Sequence, residues 1–135
     1  MPAKILVVDD DHAVLGTLKR YLASSGFSCI LADNGSEALL LVRESRPDLI
    51  LVDAQMPGLD GHAVCRVLKA EAATVSIPVI IMSGTMVEES HVLSGFSGGA
   101  DDYVTKPFSM AVLKARIEAV LRRYKSVAAA EERLK

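Results

Sequence analysis

Three stretches of the chain are continuously apolar, Ile5–Val8, Leu49–Val52 and Val79–Met82, built from β-branched residues, leucine and one methionine. A strand wet on one face alternates apolar with polar residues, and a strand covered on both faces does not. These runs therefore predict buried strands of a parallel sheet. Phe27–Leu31 alternates in part and predicts a weaker strand; Tyr103–Val104, just ahead of Lys106-Pro107, predicts a short one. Between the runs the apolar spacing changes to that of a helix. Val14, Leu18, Tyr21 and Leu22 form one stripe, with Gly26 at its stop position. Ala38, Leu39 and Val42 form a second, opened by the cap-like Asn34/Ser36 region and closed before Pro47. Ala63, Val64, Val67 and Leu68 form a third. The longest stripe is Met110, Leu113, Ile117, Val120, Leu121 and Tyr124, with Ser109 as its N-cap.

The segment near Glu88–Ser97 is where a fourth helix belongs, but Ser90, Ser94, Gly95, Ser97, Gly98 and Gly99 crowd it. Each glycine inside a helix costs about 1 kcal/mol relative to alanine, so this helix is expected to be short or mobile. Five strands alternating with five helices predict an α/β fold, a single doubly wound parallel sheet joined by right-handed crossovers. In such open sheets ligands bind beyond the carboxyl ends of the strands.

Composition agrees with this architecture. Half of the residues are apolar but only 4% are aromatic, so the core is aliphatic. The apolar strand runs are four residues long, far short of a membrane span, and MPAKILVV lacks a signal-peptide layout. No membrane insertion and a cytoplasmic location are expected. The formal charge is −2, and no Arg/Lys cluster is interleaved with aromatic residues, which argues against direct nucleic-acid binding. Cys29 and Cys65 have neither metal-ligand spacing nor further cysteines to pair with, and read as small buried hydrophobes.

The chemistry is concentrated where the strands end. The first strand runs into Asp9, Asp10 and Asp11, the third into Asp53, the fourth into Ser83-Gly84-Thr85 and the fifth into Thr105-Lys106-Pro107. One acidic residue after a strand is usually a helix cap or a solvated turn, and Asp11 and Asp60 read equally well that way. Several carboxylates converging on one edge raise one another's pKa and call for a cation. Oxygen ligands without Cys or His point to Mg²⁺, with Mn²⁺ as a substitute. With Lys106 opposite and a hydroxyl nearby, the set is suited to phosphoryl transfer.

The segments ILVVDDD, LILVDAQMPGLDG, IPVIIMSG and GADDYVTKPF, in this order, resemble the receiver domains of two-component response regulators. The second carries D-x-x-M-P-x-x-D-G from Asp53 through Met56, Pro57, Asp60 and Gly61. The resemblance covers roughly Lys4 to Arg123. It implies the flavodoxin-like strand order 2-1-3-4-5, which is the family's known order. It also implies that Asp53 takes a phosphoryl group from a phosphohistidine on a sensor histidine kinase or phosphotransfer protein. Asp10, Asp53 and the backbone carbonyl of Gln55 would hold Mg²⁺, with Asp9 acting directly or through water. Lys106 and the Ser83 hydroxyl would contact the phosphoryl group, and Tyr103 would change rotamer with the loop after the fourth strand. Met56, Pro57, Gly61, Gly84, Thr85 and Pro107 would shape the surrounding loops, with a cis Lys106-Pro107 bond. The signal would pass to an effector or output domain through the face built by the fourth helix, fifth strand and fifth helix. On this reading the chain is a phosphorylation-controlled switch that assists its own phosphorylation and dephosphorylation, not an enzyme acting on another substrate.

From the residues themselves Ser83 reads equally well as a turn residue, Tyr103 as core, and Met56-Pro57 as a turn. Ser83 stands where the family more often has Thr, and the stretch from Ser83 to Tyr103 is one residue longer than its common spacing. Residues 1–124 are expected to be the receiver domain and 125–135 a helical extension or linker. That extension is a solvated face, the start of a link to an output domain, or a homodimer seam. Two rivals share the acidic pocket. A phosphatase working through an aspartyl phosphate on Asp9, with Asp11 as acid, would leave Asp53 without a role, and position 13 is Ala where that class has Thr or Val. A degenerate receiver used only for binding would not need the intact Asp9, Asp10, Asp53 and Lys106 set.

Overall fold

The apolar runs become five strands in a computed structural model that describes residues 2–84 and 99–134, with side chains through residue 125. They are β1 (Lys4–Val8), β2 (Ser28–Ala32), β3 (Leu49–Asp53), β4 (Val79–Ser83) and β5 (Asp102–Thr105). All neighbours pair in parallel, in the order β2-β1-β3-β4-β5, as the resemblance implied. The weaker run became the edge strand β2, only partly buried, shifted one residue from its expected bounds.

Four helices lie among the described residues: α1 (His12–Ser24), α2 (Gly35–Ser45), α3 (Gly61–Ala70) and α4 (Met110–Leu134). Five were expected. The missing one, near Glu88–Ser97, falls outside the described residues. α4 is the last of the expected helices and runs unbroken past residue 124, so the extension continues the same helix.

Side chains of a strand alternate between faces, and both faces are apolar here. Leu6, Val8, Ile50, Val52, Val79 and Ile81 pack with Ala38 and Val42 of α2 and Val64 and Leu68 of α3. Ile5, Val7, Leu49, Leu51, Ile80 and Met82 pack with Leu15, Leu18 and Leu22 of α1 and Leu113, Ile117 and Val120 of α4. That two-sided covering is why the central strands show no polar alternation. Truncating one such leucine or isoleucine to alanine costs about 2–5 kcal/mol, through lost transfer energy and the cavity left behind.

Each helix begins with a side chain accepting an orphan backbone N–H. Asp11 accepts from Ala13 and Val14, Asn34 from Glu37, Asp60 from Ala63, and Ser109 from Val112. α2 ends at Arg46, which is left-handed at φ 50°, immediately before Pro47. These caps fix where each strand-to-helix loop sits, and so they place the polar residues at the carboxyl edge of the sheet. Cys29 is half-buried and Cys65 buried, and neither is in a disulfide, in line with their reading as small hydrophobes.

Candidate functional site

The site follows from strand register. Val8 of β1 lies level with Val52 of β3, so the residues after them, Asp9 and Asp53, leave the sheet side by side. Ser83 of β4 lies level with Thr105 of β5, which carries Lys106 to the same edge. One carboxylate oxygen from each of Asp9, Asp10 and Asp53 falls within 4.8 Å of the others. Lys106 Nζ donates to Asp9 Oδ2 at 3.0 Å and to Asp53 Oδ2 at 3.4 Å. Asp9 is buried at 1% exposure, Asp53 is half-buried and Asp10 faces solvent.

Two of the three carboxylates thus share one ammonium, and the third has no bond to it among the described residues. Burial pushes the Asp53 carboxyl above its ordinary pKa; the Gln55 N–H opposes this, the Asp9 charge adds to it and Lys106 opposes it. For Lys106, desolvation works against the charged form. The hydrogen bond to Asp9 and the charges of Asp53 and Asp9 outweigh it, and its pKa lies above the ordinary value. The lysine therefore stays protonated and the pocket keeps excess negative charge. A hard cation fits such a set, because every donor is oxygen and one carboxylate edge is open to solvent.

The loop after β3 is held closely. Gln55 N–H donates to Asp53 Oδ1 at 3.3 Å and Ala54 N–H to the Met82 carbonyl at 2.7 Å. Met56 is buried in the core while Pro57 is exposed. Gly61 opens α3 directly against Asp53: a Cβ there would lie 2.3 Å from the Asp53 carbonyl oxygen, which no side chain tolerates. Its N–H donates to the Ala54 carbonyl at 3.2 Å. Asp11 and Asp60 serve as helix caps, the plainer of their two readings.

Ser83 is buried at the end of β4, and its carbonyl accepts the Lys106 N–H. Gly84 is exposed beside it, and Thr85 lies outside the described residues. Tyr103 is buried in the core on the α3 side, its ring stacked on His62 at 6.0 Å and 22°. It is a core residue in this conformation. The Lys106-Pro107 bond is cis, as expected. Beside Lys106 an apolar hollow of about 580 Å³ is lined by Ala13, Val14, Leu18, Pro107, Phe108 and Met110. Neither this hollow nor His62 was singled out from the sequence. Val14, Leu18 and Met110 looked there like ordinary core positions of two separate helices.

Comparison with known proteins agrees with this geometry. The family model for the response regulator receiver domain matches residues 5–118. Response regulator MprA from Mycobacterium sp. (strain KMS) is 45% identical over 123 residues, which cover 91% of this chain and 52% of that protein. The chain spans about half the length of the curated relatives it matches. Among solved structures, the Francisella response regulator 1452 receiver domain superposes with a TM-score of 0.82 at 34% identity, covering 90% of this chain and 98% of that one. The signal receiver domain of a signal transduction histidine kinase from Syntrophus aciditrophicus gives 0.82 at 35% identity, covering 89% and 90%. Among the described residues no helix is long and apolar enough to cross a membrane.

Proposed function

The chain belongs to the response regulator receiver domain family, and from that premise we propose that Asp53 is its phosphoacceptor, charged by a phosphohistidine on a sensor histidine kinase or phosphotransfer protein. The observation that carries this reading is the meeting of Asp9, Asp10 and Asp53 within 4.8 Å, with Lys106 joining two of them. A structural salt bridge needs one carboxylate per ammonium. A phosphoryl-transfer site needs more, because a divalent cation and a phosphoryl group also enter it.

Asp10, Asp53 and the Gln55 carbonyl would hold Mg²⁺, or Mn²⁺ in its place, with Asp9 bound directly or through water. Bound there, the cation offsets charge on the phosphoryl oxygens. An Asp53 carboxylate oxygen attacks phosphorus as the P–N bond to the donor imidazole breaks, and the bonding pair leaves with the imidazole nitrogen. Lys106 is held by Asp9 within reach of the same space and stabilises the equatorial oxygens. The Ser83 hydroxyl closes onto the product, and Tyr103 changes rotamer to report the change.

Receiver domains of this family act in signalling, and here the chemistry is confined to the chain's own phosphorylation and dephosphorylation. The receiver unit is residues 1–124; 125–134 continue α4 as a solvated face, as a link toward an output domain or as a homodimer seam. Its place is the cytoplasm, and its downstream partner is a protein effector or output domain. The hollow beside Lys106, between α1 and the start of α4, supports docking of a donor helix next to the site.

Labelling with acetyl phosphate and Mg²⁺ tests the reading. Wild type is expected to incorporate phosphate in an acid-stable, base-labile form, and Asp53→Ala is expected to incorporate none. Equal labelling of the two proteins would overturn it.

A further inference from the structure

α2 gives no group to the acidic site, yet its first residue touches the loop that does. A Cβ at Gly35 would lie 2.6 Å from the Leu59 carbonyl oxygen, 2.7 Å from Leu59 Cβ and 3.0 Å from Val64 Cγ2. The nearest of these atoms is backbone, so it cannot swing aside as the tip of a long side chain would. Leu59 belongs to the segment 54–60 that joins β3 to α3 and carries Gln55.

That segment has little slack. At one end the Ala54 N–H is held by the Met82 carbonyl at 2.7 Å. At the other, the Asp60 side chain caps α3 and Gly61 N–H returns to the Ala54 carbonyl at 3.2 Å. Met56 is anchored in the core between them. α2 cannot readily retreat either, since Ala38 and Val42 are fully buried in the same cluster. A displacement at Leu59 therefore passes along the backbone toward Gln55, whose N–H fixes one oxygen of Asp53. Gly61 abuts the Asp53 carbonyl from the α3 side, so two residues without side chains grip the loop from two helices.

We propose that Gly35 is a positioning residue for phosphoryl transfer: its bare backbone seats the loop from Ala54 to Asp60 and thereby sets the aim of the Asp53 carboxylate and the Gln55 main chain. The proposal rests on the reading of Asp53 given above and deepens it. Gly35→Ala must move the Leu59 backbone by several tenths of an ångström to reach ordinary contact. Shifts of supporting groups around a metal site commonly cost about 10-fold or more in affinity or rate.

The experiment compares Gly35→Ala with Leu40→Gly. Leu40 lies exposed in the middle of α2, so its replacement lowers helix stability without adding an atom near the loop. Mg²⁺ affinity is read from amide resonances during titration, and phosphorylation rate from acetyl phosphate labelling at saturating Mg²⁺. Gly35→Ala is expected to weaken Mg²⁺ and slow labelling by about 10-fold each, with shifted Ala54 and Gln55 amides before any metal is added. Leu40→Gly is expected to lower the melting temperature and leave both quantities within twofold of wild type. If the two variants affect Mg²⁺ affinity and labelling equally, or if Gly35→Ala affects neither, the proposal is wrong. Should Gly35→Ala fail to fold, Leu59→Gly removes the Leu59 Cβ that packs over Gly35 and frees the loop backbone from the other side; an unchanged Mg²⁺ affinity there would also overturn it. The metal titration needs no phosphorylation, so a wild type that fails to label would sink the reading of Asp53 while leaving the seating test intact.

Discussion

Two polar clusters stand at opposite edges of the same sheet, and they are built on different principles. At the carboxyl edge, Asp9, Asp10 and Asp53 cluster, and Lys106 pairs with Asp9 and Asp53. At the amino edge, Asp101 meets Lys69 at 3.4 Å, accepts the Val79 N–H at 2.8 Å and accepts the Tyr124 hydroxyl at 2.6 Å. Lys69 completes its own bonding on the Val75 and Ile77 carbonyls at 3.1 and 2.7 Å. One carboxylate and one ammonium are there fully used, tying α3, β4 and α4 together. The amino-edge cluster is complete without a ligand, whereas the carboxyl-edge cluster has charge left over. A charge surplus on rigid strand ends marks the functional edge; a balanced count marks a structural clasp.

Replacements at the two edges should therefore differ in kind. The largest effect is expected for Lys106→Ala, which removes the sole ammonium facing the three carboxylates among the described residues. Labelling by acetyl phosphate should slow by about 100-fold, in the range found when a preorganised charge-stabilising donor is lost. A rate within threefold of wild type would break the distinction, because Lys106 would then be structural like Lys69. Next comes Asp101→Ala, which strips three hydrogen bonds from the other edge and leaves Lys69 without its carboxylate. A loss of about 2–3 kcal/mol is expected in urea unfolding, with Mg²⁺ affinity unaltered.

The sign should reverse for Asp53→Asn in the metal-free protein. Burial already disfavours the Asp53 carboxylate, and Asp9 adds repulsion. Neutralising it should stabilise the fold, seen as a rise in melting temperature. Added Mg²⁺ should raise the melting temperature of wild type and not that of the variant. A destabilised Asp53→Asn would mean that the acidic edge carries no surplus.

The smallest effect concerns Tyr124. Desolvation, then its hydrogen bond to Asp101 and the charge there, hold its hydroxyl well above the usual tyrosine pKa. With the folded pKa above the unfolded one, the stabilisation is full below about pH 10 and fades as pH rises through the alkaline range. Tyr124→Phe should be slightly less stable at pH 8, and its stability should fall less than that of wild type between pH 9 and 11 in urea titrations. Parallel pH curves would remove Tyr124 from the clasp.

Much of this was legible along the chain. Uninterrupted runs such as Ile5–Val8 and Val79–Met82 announce strands covered on both faces, because only two-sided burial removes polar alternation. Asp9, Asp10, Asp53 and Lys106 could be named because each stands at or just past the end of a strand, and parallel strands deliver their ends to one edge. Less was readable where a residue acts through its neighbours. Gly35 looks like an ordinary first residue of a helix, and nothing local says that Leu59 will press on it. The partnership of Lys69, Asp101 and Tyr124 joins residues 32 and 23 positions apart, with no spacing rule to connect them. His62 gave no hint that its ring would lie against Tyr103.

The sequence by itself determined the element types, the aliphatic two-faced sheet and the set of polar groups at its carboxyl edge, because periodicity and strand-end position are local properties of a chain. The tertiary structure alone decided which of those groups share charge, which merely cap helices, and which glycines leave room for the loop that follows Asp53. Those outcomes depend on ångström-scale distances between segments far apart in the chain. Electrostatic and steric energies change steeply with such distances, and no local pattern of residues records them.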